Sequence, residues 1–291
     1  MTATIMTNAE NKQYLELSPQ PVFVLATQRS GTNYLRSLMK GTGLFADFNE
    51  VFHSEIDETI PASFEYFDWA KHSYFKYRAK RFAENPNLSI PLGEHVISLF
   101  SDYLDYLSSE SGNLPYFLMD VKYSSLHHFD PVWHSLTARK FIFDLISSRG
   151  CRVVHLVREN VFNVYLSGQL AILTGMYVQK KDDVIELPRV SIAADDMLRE
   201  LQRIEQEVNM VRLDLETLPN VYELTYESIS SEGVGVPQSI EEELSEFFKS
   251  NIQLRKPATI TRIIKDRWSV IENADEVIEA LAHSPYAWCI E

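Results

Sequence analysis

Cysteine is almost missing from this chain: Cys151 and Cys289 are the only two in 291 residues, and they lie far apart in sequence. Cys151 falls inside a predicted core strand, so the pattern argues against a disulfide framework and for a reducing compartment. Positive charge is also in short supply, with 27 Lys and Arg against 41 Asp and Glu and a net charge of −14. Such a surface repels polyanions across a Debye length and offers no basic footprint, which argues against nucleic acid and heparin-like partners. No apolar run approaches the length that spans a bilayer. The start of the chain, with Glu10, Lys12 and Glu16, has neither the basic start nor the apolar centre of a signal peptide. A flexible segment over residues 1–18 and a cytoplasmic protein are therefore expected. Repeats and low-complexity tracts are absent. His127 and His128 have no Cys or carboxylate at ligand spacing, so no metal is expected.

What is present is ordinary globular content, 45% apolar and 23% charged, at a length suited to one substantial core. A single domain over residues 1–291 is the expectation. Its most informative stretch is Val22-Phe23-Val24-Leu25-Ala26-Thr27-Gln28-Arg29-Ser30-Gly31-Thr32-Asn33-Tyr34-Leu35. The apolar run has the length of a buried strand, and Leu35, Leu38 and Met39 then recur at helical spacing. Arg29 to Asn33 thus stand between a strand and a helix, where free N–H groups and the positive end of the helix dipole converge. Gly31 permits close backbone approach, Ser30 and Thr32 add hydroxyls, and Arg29 adds a charged fork of donors. This reads as a cradle for phosphate or a similar anion, against the plainer reading of a strand-to-helix turn with an exposed Arg. A Walker-type loop requires a Lys between glycine and hydroxyl, and none stands there, which weakens a nucleoside-triphosphatase or ATP-dependent kinase reading.

A second such junction follows at Cys151-Arg152-Val153-Val154-His155-Leu156-Val157-Arg158-Glu159-Asn160, a strand tipped by Arg158 and followed by a helix. Ser167 comes about two and a half helical turns later, on the helix face nearest the strand end. Strands alternate with helices along the chain, predicting an α/β fold with a parallel sheet covered on both faces. In such sheets ligands bind outside the carboxyl ends of strands, which puts Arg29 and Arg158 on one rim. Two anion sites on one rim suggest a nucleotide with two separated phosphates.

At these residues the chain resembles the sulfotransferases that use 3′-phosphoadenosine-5′-phosphosulfate (PAPS). Gln28 to Asn33 is similar to their loop for the 5′-phosphosulfate, and Val157-Arg158-Glu159-Asn160 with Ser167 to their 3′-phosphate site. The closest likeness is to the bacterial trehalose 2-sulfotransferase and nodulation-factor-type group. Thr42 to Phe52 resembles the loop after their first helix, with Val51 where an aromatic is usual, and Asp275 to Trp288 resembles their common ending. The resemblance implies the P-loop-like sulfotransferase fold and transfer of a sulfuryl group from PAPS to a hydroxyl of a carbohydrate, glycolipid or other alcohol. It implies PAPS binding by Arg29, Ser30, Gly31, Thr32, Asn33, Tyr34, Arg158 and Ser167. It adds Arg255 and Lys256 from a late basic arm that closes over the 3′-phosphate and adenine. Trp268 in that arm would stack on a base, or else belong to the core.

The chemistry needs a base for the acceptor proton and cations for charge developing on the leaving phosphate. Glu50 matches the position of the proposed catalytic glutamate of the trehalose-type enzymes, and His53 is the alternative base because an imidazole needs no tuning near neutral pH. Arg29 would stabilise the transferring group, and Lys122 resembles a lysine that follows the equivalent strand in many family members. The net charge favours a neutral acceptor.

Helices are predicted over Pro61–Phe82, Gly93–Glu110, Phe141–Ser148, Ser239–Phe248 and Asp275–Ala282, and further strands over Tyr116–Val121 and Asn220–Leu224. The aromatic cluster from Phe64 to Phe82 is either an acceptor platform or core. Leu201, Ile204, Val208, Val211, Leu215 and Leu218 form an apolar seam, open to packing on the same chain or to a homodimer. A non-catalytic nucleotide-binding module using that seam is the remaining alternative.

Overall fold

The computed structural model describes residues 19–53, 69–135, 138–175, 187–230, 236–255 and 266–291. Five strands build one parallel open sheet: β1 (Gln20–Ala26), β2 (Phe45–Asp47), β3 (Tyr116–Lys122), β4 (Arg152–Val157) and β5 (Val221–Thr225). Their order across the sheet is β2-β3-β1-β4-β5, with helices flanking it. The α/β fold with a parallel sheet is therefore as the strand–helix alternation indicates. β1 and β3 are apolar along almost their whole length and buried, the pattern of strands covered on both faces. From β1 the chain runs to one side of the sheet, and from β4 to the other. The crevice between the carboxyl ends of these two neighbours is thus a topological switch point.

The helices are α1 (Thr32–Lys40), α2 (Trp69–His72), α3 (Tyr74–Glu84), α4 (Gly93–Glu110), α5 (Phe141–Ser148), α6 (Val161–Thr174), α7 (Ala194–Leu215), α8 (Tyr226–Ile229), α9 (Gln238–Phe248) and α10 (Ala274–Ala282). The predicted Gly93–Glu110 and Phe141–Ser148 helices are found with those bounds. The predicted Pro61–Phe82 helix is not continuous. Residues 61–68 lie outside the described residues, and the chain breaks between α2 and α3 at Ser73, whose φ of −54° and ψ of 129° leave the helical region. The Ser73 hydroxyl caps α3 by accepting from the Lys76 amide, so a serine inside an apolar pattern starts a new helix.

The described chain forms two compact units. One holds the stretch up to Leu25, Thr42–Val154 and Leu218–Tyr222; the other holds Ala26–Gly41, His155–Thr217 and Glu223–Glu291. The core of the first is aromatic. Phe52 contacts Phe23, Tyr74, Tyr103 and Phe129, and all five rings are fully or almost fully buried. Burying each such ring contributes about 2–3 kcal/mol before entropy is counted. Tyr74, part of the sequence's aromatic cluster, therefore belongs to the core; Phe64, Tyr66 and Phe67 lie outside the described residues.

In the second unit α6 and α7 pack together around Phe162, Leu166, Leu170, Met197, Leu201 and Ile204, with Val277 and Leu281 of α10. The apolar seam of α7 is buried in its own chain, as Leu201, Ile204, Val208, Val211 and Leu215 all are. Trp268 lies flat against Phe162, their ring centres 5.4 Å apart, and packs on this same core. The structure thus gives Trp268 the packing role rather than base stacking.

Candidate anion cradle and carboxylate–lysine cluster

The cradle is built in the second unit. β1 runs out at Ala26, and the backbone then turns through two left-handed residues, Arg29 at φ 67° and Gly31 at φ 90°. Glycine adopts this region freely and an arginine does not, so the turn holds Arg29 in a strained state. The Gly31 carbonyl then accepts from the amides of Tyr34 and Leu35 and starts α1. No side chain caps this helix, which leaves its positive end to the loop.

Three of the residues read from the sequence meet directly. Arg29 Nε donates to Ser167 Oγ at 3.0 Å, and Arg158 donates from Nη1 to the Arg29 carbonyl at 3.2 Å. Ser30 is buried beside them, and its hydroxyl has no hydrogen-bond partner among the described residues. A buried hydroxyl in that state costs about 1–3 kcal/mol, a cost that an oxyanion at the loop would remove. Ser167 pairs with Arg29 rather than Arg158, so the two halves expected to hold separate phosphates form one connected network. Thr32 is buried at the first helical position, and Asn33 Oδ1 accepts from Arg36 at 2.9 Å.

Two functional neighbours were missed in the sequence. Tyr226, first residue of α8, fills the space that a side chain on Gly31 would need: a Cβ there would lie 2.3 Å from Tyr226 Cδ2. The Arg158 guanidinium lies over the same ring at 4.9 Å, and Tyr34 meets it edge-on. Burial, and secondarily Tyr226, raises the Tyr34 phenol above its ordinary pKa. Glu227 accepts from the Glu159 amide at 3.0 Å and the Asn160 amide at 3.4 Å, fixing the backbone just beyond Arg158. The available signal was Thr225 at the end of a strand, a helix cap whose hydroxyl accepts from the Ser228 amide.

Arg255 is exposed, and its carbonyl is 4.0 Å from where a Cβ on Gly41 would lie, beyond the far end of α1 from the cradle. Lys256 lies outside the described residues.

The remaining candidates gather in the first unit. The β2–β3 pairing continues past Asp47, since the Phe48 amide donates to the Leu118 carbonyl and the Asp120 amide to the Asn49 carbonyl. Asn49, left-handed at φ 65°, then turns the chain, and fully buried Val51 and Phe52 anchor it on the far side. Glu50 is thereby held on a tethered loop. Its carboxylate is 3.6 Å from the Lys122 ammonium, which donates to both oxygens of Asp120 at 2.8 Å. Asp120 and Lys122 share one face of β3 because side chains alternate along a strand, and both are buried. Lys122, which the resemblance gives an assisting role, is engaged by two carboxylates. Asp120 went unnoticed inside an apolar strand, although a charge at that place was itself the signal.

His53 follows, its amide donating to the Glu50 carbonyl at 3.0 Å. Nearby, burial first, then the charges of His127, Arg78 and His53, lower His128 to about 4. His128 also meets the Phe75 ring edge-on at 4.9 Å. Among the described residues no group of three His, Cys, Asp or Glu is placed to hold a metal ion, and no helix is long and apolar enough to cross a membrane.

No family model and no curated protein matches the chain.

Proposed function

We propose that the protein is a PAPS-dependent sulfotransferase that transfers a sulfuryl group to a hydroxyl of a carbohydrate, glycolipid or other alcohol. The observation that carries this reading is the linked cradle at the switch point, where Arg29, Ser167 and Arg158 are joined by hydrogen bonds beside a buried Ser30 hydroxyl that has no partner among the described residues. Two guanidinium groups and an uncapped helix start form a donor set with the chemistry of an oxyanion site and no Lys of the Walker type. They fit the phosphosulfate and 3′-phosphate groups of PAPS, which supplies the sulfuryl group when bound. Arg29 orients those oxygens and lowers the cost of charge that builds there, Ser167 fixes the Arg29 fork, and Tyr226 fixes the plane of Arg158.

Glu50 is proposed to take the proton of the acceptor hydroxyl, with Lys122 steadying its carboxylate. His53, three residues on, is the alternative base. The sequence likeness around the two strand–helix junctions supports the same reading, and the P-loop-like sulfotransferase fold is proposed with it.

The test is transfer of labelled sulfate from PAPS to a panel of alcohols and sugars, with calorimetry of 3′-phosphoadenosine-5′-phosphate binding. Binding of that nucleotide in preference to ATP, its loss in Arg29→Ala, and labelled product are expected. Unchanged nucleotide binding in Arg29→Ala removes the site assignment.

A further inference from the structure

In a chain with 41 acidic residues, arginines readily find carboxylates. Arg81 contacts Glu84 and Asp102, Arg149 contacts Asp105, and Arg203 contacts Glu200 and Glu207. Arg78, one turn before Arg81 on α3, contacts no carboxylate among the described residues. Its guanidinium instead lies over three rings, at 4.9 Å from the centre of Phe75 and 5.7 Å from those of Tyr74 and Phe82. The aromatic wall fixes the plane of the fork and leaves its in-plane donors available, the arrangement suited to a planar or tetrahedral oxyanion.

Its surroundings have the same character. His128 touches Phe75, the His127 ring centre is 4.0 Å from that of His128, and His53 and Arg78 both act electrostatically on His128. His128, held neutral at pH 7 by burial, has a ring nitrogen to offer a hydroxyl without adding charge. His53 joins this group to Glu50 through the hydrogen bond between their backbones. All these residues belong to the first unit. An acidic protein thus keeps a local basic and imidazole-rich patch, built from α3 and the segment after β3, with His53 linking it to the loop that carries the candidate base.

We infer that Arg78, with His128 against the same Phe75 ring and His53 near His128, forms an anion subsite for the acceptor, which carries a phosphate or carboxylate next to the hydroxyl that is modified. This names the substrate class of the proposed function and rests on that reading. It departs from the neutral acceptor that net charge favours, because a local guanidinium at hydrogen-bond range outweighs a field screened over about 8–10 Å.

The experiment measures binding of glucose, glucuronate and glucose 6-phosphate to the full chain by calorimetry, without any sulfate donor. The two anionic sugars should bind at least about tenfold tighter than glucose, the one with the better-fitting anion identifying phosphate or carboxylate. Arg78→Gln should abolish the preference and Arg78→Lys should keep part of it, while Arg29→Gln, which alters the cradle, should leave it in place. Equal affinity for all three sugars, or an unchanged preference in a folded Arg78→Gln variant, overturns the subsite. Loss of the preference in Arg29→Gln alone also overturns it, because the anion then sits in the cradle. A chain that keeps an Arg78-dependent preference yet fails to bind 3′-phosphoadenosine-5′-phosphate supports the subsite and removes the sulfuryl-transfer reading.

Discussion

The ring of Tyr226 stands where a side chain on Gly31 would have to go, its Cδ2 and Cε2 atoms 2.3 and 2.5 Å from an added Cβ. Gly31 is also left-handed at φ 90°, so two independent effects oppose any substitution. Gly31→Ala is expected to lose about 2–4 kcal/mol, from left-handed strain and overpacking together. Removing the ring in Gly31→Ala/Tyr226→Ala should recover part of that loss. Urea denaturation of the single and double variants checks the coupling, and simple additivity would refute it.

Ser30 offers a separation of stability from binding. Its hydroxyl is buried without a partner among the described residues, so Ser30→Ala should leave the free protein unchanged or more stable by about 1 kcal/mol. The same change should weaken 3′-phosphoadenosine-5′-phosphate by about tenfold, because the hydroxyl is then missing from the cradle. Thermal melts with and without nucleotide give both quantities. A destabilised free protein with normal nucleotide affinity would show that Ser30 serves packing alone.

The Asp120–Lys122 pair makes a prediction about partners. Asp120→Asn takes a carboxylate at 2.8 Å away from the buried Lys122 ammonium, which Glu50 faces at 3.6 Å, and is expected to cost about 3–5 kcal/mol. Asp120→Asn/Lys122→Met removes both charges and should be more stable than Asp120→Asn alone. In Glu50→Gln the nucleotide should bind normally while turnover falls at least about a hundredfold. Near-normal turnover there would transfer the base role to His53.

Glu223 sets a pH dependence on the second unit. The hydrogen bond from His155 Nδ1 at 2.9 Å, and then the Arg212 guanidinium, lower its carboxyl to about 2, against the opposing effect of burial. A depressed carboxylate adds stability that is fully present above its unfolded pKa, about 4.5, and is lost as pH falls towards 2. Because the group is more than a third exposed, solvent screening limits the contribution to about 1 kcal/mol. Glu223→Gln should therefore be the less stable protein at pH 7, with the gap narrowing below about pH 4.5. A gap constant from pH 7 to pH 3 would exclude the mechanism.

Legibility in the sequence followed the range of the interactions. The first helix after β1, α4 and α5 were readable because apolar spacing and flanking Gly, Asn or Ser act within a few residues. β2 was not read as a strand, since Phe45–Asp47 is too short to show alternation and exists by pairing with Tyr116–Leu118. The break at Ser73 was hidden because a serine is equally at home inside a helical pattern and at its cap. Arg29, Ser30 and Arg158 were legible from their places at strand ends. Tyr226 and Glu227 were not, as their work is done on residues distant in the chain. Asp120 was masked by the apolar residues around it.

The hydrogen bond between Arg29 and Ser167 closes a separation of 138 positions, that from Arg158 to Arg29 closes 129, and that from Tyr34 to the Ile229 carbonyl closes 195. None of these can form until most of the chain has been synthesised. The β1 strand, the first of the described strands, must await β3 and β4 before either of its edges is covered. Such long-range closure makes folding slow and leaves an apolar strand exposed in nascent chains. Closure around Arg29 is therefore completed late: a chain truncated before Tyr226 keeps Ser167 and Arg158 but lacks the ring that packs against Gly31 and the Ile229 carbonyl that accepts from Tyr34.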